Sequence, residues 1–237
     1  GAGGSGGGLI KIVVAGIFNV NGTISADGLN GVLGSGSGTS EGAGGGGGGG
    51  GGGSIWIDAN ILAGNVIVSA DGGSGGDGGY YPATGYQYNG GGGGGGGGGS
   101  IAIYATSSDS LSLSYFINYG SGGFTYTNAA SGTPGSIGTY AFIDKNGGRG
   151  HDDLYIYGSS AFPIDSSGAF YNFTISTSST IYLETSSTSA YTVTNLIISY
   201  GATLTHPTST TQAYSINLNI LGNLNINSGG FIIASGT

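Results

Sequence analysis

Apolar and polar residues alternate along many short segments of this chain. Ile, Leu and Val recur at alternate positions in segments such as 180–185, 191–198 and 215–220, with Thr, Ser and Asn between them. Because successive side chains of a strand point to opposite faces, this alternation predicts strands with one buried face. No stretch of a dozen residues shows an apolar period of 3.6 without Gly or β-branched residues. The pattern therefore predicts an all-β protein.

The first half of the chain repeats one unit three times. In each unit a glycine-rich tract leads directly into a predicted strand, and the tracts are 1–8, 44–53 and 90–99. The spacing is nearly constant, because 45 residues separate Ile10 from Ile55 and 46 separate Ile55 from Ile101. Such a spacing is within the range of repeat proteins that stack one structural unit on the next.

Each unit also carries a second predicted strand. Segments 22–28 and 66–72 end in the same four residues, Ser-Ala-Asp-Gly, and the third copy at 111–120 is degenerate. Asp followed by Gly is typical of turns, so we expect each of these strands to end in a turn.

The second half repeats a shorter pattern. Asn or Asp, an apolar residue, any residue and then Ile recur at Asp153, Asn172, Asn195 and Asn223, with spacings of 19, 23 and 28 residues. One coil per pattern would place equivalent residues on top of one another. The repeated Asn is then expected to form a ladder of side chains at a bend.

These repeats predict a parallel β-helix, also called a β-solenoid. Residues 1–145 are expected to form glycine-rich repeats, and residues 146–237 to form Ser/Thr/Asn-rich coils continuous with them. A jelly-roll or β-sandwich with donated strands is the alternative, because the alternating Thr and Ile of the second half suit that fold too.

Glycine makes up 58 of the 237 residues. An isolated run of ten glycines is a flexible linker, but these tracts recur regularly, adjoin strands and have two copies of equal length. Extended polyglycine can pack as a helix of three residues per turn, the polyglycine II form. Ordering it costs about 1–2 kcal/mol per residue in backbone entropy, which one tract alone cannot offset. We therefore expect the three tracts to lie together.

The two repeats resemble those of known surface proteins. A glycine tract, then Ser-Ile-x-Ile at 54–57 and 100–103, then Ser-Ala-Asp-Gly, is similar to the glycine-rich repeats of large secreted bacterial and archaeal surface proteins. The Asn-Leu-x-Ile units at 195–198 and 223–226 resemble coils of filamentous-haemagglutinin-type and autotransporter-passenger β-helices. The resemblance covers nearly the whole chain and implies adhesins, stalks or surface fibres.

Charge and hydropathy exclude several classes of protein. Eleven acidic against three basic residues give a net charge of −8, which argues against nucleic-acid binding through phosphate contacts. No apolar stretch approaches the ~20 residues of a membrane-spanning helix. The chain starts with Gly and carries no signal peptide, so we expect a processed mature product. The uncharged Gly/Ser/Thr/Asn surface favours an extracellular or cell-surface location.

Catalytic chemistry is not indicated. The acidic residues are scattered, so we expect neither an enzyme nor a cofactor, and His151-Asp152-Asp153 is interpreted as a polar turn. Asp71 and Asp77 are the candidate ligands for calcium, in a single partial match to a calcium-binding nonapeptide. Asn21 and Asn172 begin Asn-x-Thr sequons and are candidate glycosylation sites.

The expected function is structural. A solenoid without polar caps has open ends that can pair with another copy, and head-to-tail pairing produces open filaments. The candidate assembly residues lie near the two ends: Leu9, Ile10, Ile12, Phe231, Ile232 and Ile233. The alternative is an adhesin or stalk of a larger surface protein, which binds glycans or surfaces through tyrosines such as Tyr80, Tyr81, Tyr86 and Tyr88.

Overall fold

The computed structural model describes residues 1–36, 42–80, 89–107, 111–126, 129–145, 152–158, 170–176, 178–183, 190–206 and 216–234. Within these ranges the chain contains β-strands and no helix, so the all-β prediction is confirmed. The strands are β1 (Leu9–Asn19), β2 (Gly22–Ser25), β3 (Ser54–Ser69), β4 (Ser100–Ser107), β5 (Leu111–Phe116), β6 (Thr139–Asp144), β7 (Asp152–Gly158), β8 (Phe170–Ile175), β9 (Thr180–Tyr182), β10 (Tyr191–Ile198), β11 (Thr203–Thr205), β12 (Leu218–Ile220), β13 (Leu224–Ile226) and β14 (Phe231–Ile232).

One long sheet extends through both halves of the chain. Its strand order is β1-β3-β4-β6-β7-β8-β10-β12, and β13 also pairs with β10. The parallel register joins the isoleucines that the sequence spacing predicted to be equivalent, since Ile10 lies opposite Ile55 and Ile55 lies opposite Ile101. In the second half Asn195 lies opposite Asn172. The register therefore confirms the repeats in both halves.

The second strand of each unit forms a further parallel layer. β2 and β5 both pair with the later part of β3, with Gly22 opposite Val66 and Gly64 opposite Leu111. Gly64 has a φ of +97°, and a Cβ there would lie under 3.0 Å from the Val20 carbonyl oxygen. Glycine is required at this position because residues with a Cβ rarely adopt this φ and a Cβ would collide with that backbone oxygen.

The pairing of β6 with β7 is antiparallel and departs from the expected parallel stacking. Only residues 145–151 connect the two strands. A parallel connection needs a crossover of about a dozen residues or more, so a connection this short permits only an antiparallel pair. The later strands of this sheet, β8, β10, β12 and β13, then keep the direction of β7.

The reversal places two hydrophobic cores on opposite faces of the long sheet. Tyr140 packs in the core of the first half with Ile55 and Ile101. Its neighbour Ala141 packs in the core of the second half with Phe173. Adjacent residues of a strand face opposite ways, so β6 is the strand at which the covered face changes.

The jelly-roll alternative does not fit this register. Jelly-roll strands pair antiparallel, whereas nearly every described pair here is parallel, including the three-stranded sheet β14-β11-β9. The alternation of Thr and Ile is shared by both folds, and therefore could not distinguish them.

The predicted asparagine ladder is present. Asn195 Nδ2 donates to Asn172 Oδ1 at 2.8 Å, and the backbone amide of Asn223 donates to Asn195 Oδ1 at 2.9 Å. Each side chain thus bonds the next strand in the stack. This satisfies half-buried amides and fixes the register of β8, β10 and β13.

Candidate assembly surfaces

The described residues of the glycine-rich part of the chain form seven extended segments in two layers. Residues 1–8, 44–53, 90–99 and 130–138 form what we call the first layer. Residues 26–35, 70–79 and 117–125 form the second layer. The sequence predicted only the three tracts of the first layer that are richest in glycine.

Segments within one layer are parallel and hydrogen-bonded through the backbone. Gly4 N donates to Gly48 O, and Gly49 N donates to Gly94 O, each at 2.8 Å. The bonds recur at every third residue, as expected for three residues per turn. These bonds confirm that the three tracts lie together.

Segments of different layers run antiparallel. Gly50 N donates to Leu29 O, and Gly47 N donates to Val32 O, so the partner residue number falls as the donor number rises. Gly73 N in turn donates back to Gly50 O. Each inner segment is therefore bonded to two neighbours in its own layer and two in the other layer.

Close approach of the backbones requires glycine at the positions between segments. A Cβ on Gly49 would lie under 3.0 Å from the Gly73 carbonyl oxygen, and one on Gly31 would be as close to that of Gly47. The less glycine-rich segments meet this requirement with glycine at every third residue: Gly28, Gly31, Gly34, Gly120, Gly123, Gly132, Gly135 and Gly138.

The turn expected at the shared Ser-Ala-Asp-Gly is wrong. Residues 26–35 and 70–79 instead begin there as extended segments, bonded along their length to the first layer. The three-residue period of Gly28, Gly31 and Gly34 is the sequence signal that would have identified them. Such a period is typical of close-packed extended chains rather than of turns.

The outward side of the second layer carries polar side chains that bond the next segment. Asp27 Oδ1 accepts from the Asp71 amide at 2.7 Å, Asp71 Oδ1 from Asn118 at 2.6 Å, and Asp77 Oδ1 from Phe124 at 2.7 Å. The candidate calcium ligands Asp71 and Asp77 thus each accept a backbone amide. Among the described residues no three His, Asp or Glu side chains are grouped as metal ligands.

Asp27 has a pKa below its ordinary value of 3.8. Burial raises it, but bonds from the Ser69 and Ser25 hydroxyls and the Asp71 amide favour the carboxylate and outweigh burial. Because the folded pKa is the lower one, the stabilisation is complete above the unfolded pKa and is lost as pH falls through the folded pKa.

Asp27→Asn is therefore expected to reduce the acid sensitivity of the fold. Between about pH 6 and about pH 3 the Tm of the unaltered chain should fall further than that of the variant, because only the former protonates this carboxylate. Thermal unfolding followed by circular dichroism measures both differences. Equal falls in Tm would show that the bonds to Asp27 do not stabilise its charged form.

The edge strand β1 presents an open end of the first core. Ile10 and Ile12 pack against that core but stay partly exposed, because β1 has a described neighbour on one side only. Leu9 is 75% exposed. The same end carries exposed apolar residues that the sequence analysis missed: Val13, Ile17, Leu29, Val32 and Leu33.

The opposite end is also apolar and open. Phe231 and Ile232 form β14, an edge of the small sheet, and Ile233 follows it. All three are exposed, as are Leu224 and Ile226 of the edge strand β13. The six predicted assembly residues are therefore divided between two exposed strand edges.

A group of aromatic and charged residues lies on the face of the long sheet that is turned away from the first core, where Tyr104 also packs against the second core. The Lys11 Nζ lies 4.5 Å from the centre of the Trp56 ring, and the Trp56 and Tyr104 rings are 5.5 Å apart. Lys145 forms an ion pair with Asp58 beside them. The single Trp of the chain and both of its lysines thus lie in one patch.

The remaining sequence candidates have varied positions. Asn21 Oδ1 accepts the Asn65 amide at 3.0 Å, and Asn172 belongs to the asparagine ladder, so both sequon side chains bond a neighbouring strand. Asp152 and Asp153 open β7, whereas His151 lies outside the described residues, as do Tyr81, Tyr86 and Tyr88.

Comparison with protein-family models, with curated proteins and with solved structures finds no match. Within the described ranges, no helix has the length and apolar character needed to cross a membrane.

Proposed function

We propose that this protein is a structural subunit of an extracellular or cell-surface filament and has no enzymatic role. In this proposal the chain is a β-solenoid whose glycine segments adopt the polyglycine II form. Copies join end to end through the strand edges that hold Leu9, Ile10 and Ile12 at one end and Phe231, Ile232 and Ile233 at the other. The observation that carries the proposal is the exposure of apolar residues at both open edges of one continuous stack.

The strand directions specify how the ends would meet. The long sheet has β1 at one edge and β12 with β13 at the other. Because the direction reverses between β6 and β7, β13 runs opposite to β1. A copy displaced along the stack would therefore add β1 to β12 and β13 as antiparallel neighbours, but it would set Ile10 and Ile12 beside the polar row of those strands, because the two cores lie on opposite faces of the sheet. A copy related by a two-fold axis perpendicular to the sheet instead places β1 beside β1 with the same face forward, and this joint covers Ile10 and Ile12.

Low charge favours this association. Six per cent of the residues are charged, so a net charge of −8 is spread over a long chain and few side chains must be desolvated at a joint. An open strand edge with few charged residues is the kind of edge that recruits another strand, and the lysine of β1, Lys11, lies over the Trp56 ring rather than in the inward row of Ile10 and Ile12.

Electron microscopy of the purified chain in plain buffer tests the proposal. Uniform filaments are the expected result, with a repeat that corresponds to the mass of two chains because neighbouring copies alternate in direction. Monodisperse short rods at every protein concentration would contradict it.

An adhesin or stalk segment that binds glycans is the second candidate. Trp56 and Tyr104 are partly exposed aromatic rings tilted by 58° to each other, with Lys11 over the Trp56 ring, and aromatic rings are the groups on which sugar rings stack. Because Trp56 is the only Trp, quenching of its fluorescence by oligosaccharides would report this site directly. Such quenching, together with rods that do not polymerise, would favour the adhesin.

A further inference from the structure

The first layer leaves regular rows of backbone groups without a backbone partner on its outward side. In segments 44–53 and 90–99, two of every three amides donate to a neighbouring segment. The third amide, at positions such as Gly48 and Gly94, donates to no described backbone group. The carbonyl oxygens of the residues that follow, Gly49 and Gly95, likewise accept no bond from the described backbone.

Three-fold geometry fixes where these groups point. The Gly49 amide is directed to the 90–99 segment and the Gly50 amide to the second layer. In a helix of three residues per turn, successive amides are 120° apart around the axis. The amide of Gly48 and the carbonyl of Gly49 are therefore directed away from the second layer. Close-packed three-fold helices have six neighbours, and the 44–53 segment has four.

The outward positions of the first layer are occupied by glycine, although no contact within the molecule requires glycine there. A Cβ at any of them would meet its nearest backbone atom at 3.4–3.7 Å, which is ordinary contact: Gly3, Gly6, Gly45, Gly48, Gly51, Gly91, Gly94 and Gly97. The same row carries Ala130, Thr133 and Ser136 in the last segment, so side chains fit there.

The outward side of the second layer differs. Its corresponding positions carry side chains in every segment: Asp27, Asn30, Leu33, Asp71, Ser74, Asp77, Asn118, Ser121 and Phe124. Each glycine loses more backbone entropy on folding than alanine does. Eight such glycines lie on one layer only, and the outward amides of segments 44–53 and 90–99 donate to no described backbone group. This pattern indicates that another backbone approaches the surface more closely than a Cβ would allow.

From this we infer that the glycine face of the first layer pairs with the same face of a second copy of this chain. The contact inside the molecule is the precedent, since the two layers meet through glycines, run antiparallel and exchange bonds at every third residue. A two-fold axis that lies in the plane of the face, perpendicular to the segments, would make the two first layers antiparallel in the same way. Such an isologous contact closes as a pair.

A second copy fits the face better than an unrelated protein does. An ordinary protein surface carries a Cβ at nearly every residue and could not approach the amides of Gly48 and Gly94. The first layer offers a bare backbone with the matching three-residue period. The pairing uses neither open end, so it does not require the proposed filament, although it would join two filaments side by side.

Sedimentation of an end-blocked chain tests the pairing. In the Ile12→Lys variant, which is designed to prevent end-to-end growth, we expect a dimer. Adding Gly48→Ala, Gly51→Ala and Gly94→Ala should weaken dimerisation about 100-fold or more, because overpacking even one site of a close-packed contact costs a factor of about 5 to 150. The matched control carries Ser74→Ala and Ser121→Ala on the opposite face and should remain a dimer.

Amide hydrogen exchange supplies a second measurement on the chain without the alanine substitutions. Protection of segments 44–53 and 90–99 should rise with protein concentration, whereas that of segment 70–79 should not. A monomer at all concentrations, or a triple-alanine variant that dimerises normally, would overturn the pairing. Failure of the unaltered chain to form filaments would count against the proposed function and leave the dimer result standing.

Discussion

Replacing Gly49 by alanine is expected to destabilise the folded chain severely. A Cβ at this position would lie under 3.0 Å from the Gly73 carbonyl oxygen, a backbone atom that no rotamer change can move. The two layers must separate there, and the bonds that Gly50 exchanges with Leu29 and Gly73 lengthen with them. We expect a loss of about 3 kcal/mol or more in the free energy of unfolding, at or above the upper end of overpacking costs.

The adjacent residue is the matched control. A Cβ on Gly48 would meet the Gly94 carbonyl oxygen at 3.7 Å, so Gly48→Ala fits the folded chain. It should raise the free energy of unfolding by about 0.5–1 kcal/mol, because alanine has less backbone freedom to lose on folding.

Thermal unfolding of dilute, monomeric protein separates the two variants. A loss of 3 kcal/mol corresponds to a fall of about 6–12 °C in Tm for a chain of this size. Equal Tm values for the two variants would show that the glycine tracts do not pack as the two layers described.

Sequence periodicity predicted the stacking of strands because the spacing between repeats identifies the residues that are equivalent. Ile10, Ile55 and Ile101, which are 45 and 46 residues apart, lie opposite one another in the parallel register. Asn172 and Asn195, which the repeat made equivalent, form the side-chain ladder. Both follow from the repeat spacing, which places equivalent residues of successive units on neighbouring strands.

The second glycine layer was not predicted, for a physical reason. In a two-layer bundle only the positions that face another backbone must be glycine, so segment 26–35 needs three glycines and can carry Leu29 and Val32 elsewhere. Glycine content draws attention to the richest tracts. It does not show that a segment with glycine at only every third residue can pack in the same way. The exposed apolar residues Leu29 and Val32 were missed with it.

The reversal of strand direction between β6 and β7 was not predicted from the sequence either. The pattern that begins at Asp153 matches those at Asn172 and Asn195, and pattern alone does not encode strand direction. Direction follows from the length of the connection, and residues 145–151 are too few for a crossover. The change of core face at Tyr140 and Ala141 is a consequence of that length.

Ile12→Lys is expected to abolish end-to-end assembly. Ile12 belongs to the inward row of β1, opposite Ile57, and is partly exposed because no described strand covers this end of the stack. A lysine there can extend its ammonium group into water in the free subunit. Once a second copy covered the end, that charge would be buried without a partner.

The expected size of the effect follows from that burial. A buried charge left without its partner costs about 3–5 kcal/mol, which raises the critical concentration for assembly roughly 100-fold or more. Electron microscopy and sedimentation across a concentration series would measure it. Because the variant keeps an intact opposite end, small amounts of it should also shorten filaments of the unaltered chain by capping them.

Val13→Lys is the control for added charge. Val13 is the next residue of β1, is 65% exposed and points to the outward face, where a lysine stays in water before and after a joint forms. It should assemble within about threefold of the unaltered chain, as surface charges contribute little. If Ile12→Lys forms normal filaments, subunits join at another surface. If both variants fail equally to assemble, the added charge causes the loss and the open core does not. Only a difference between these two neighbouring residues identifies the uncovered row of β1 as the surface that joins one subunit to the next.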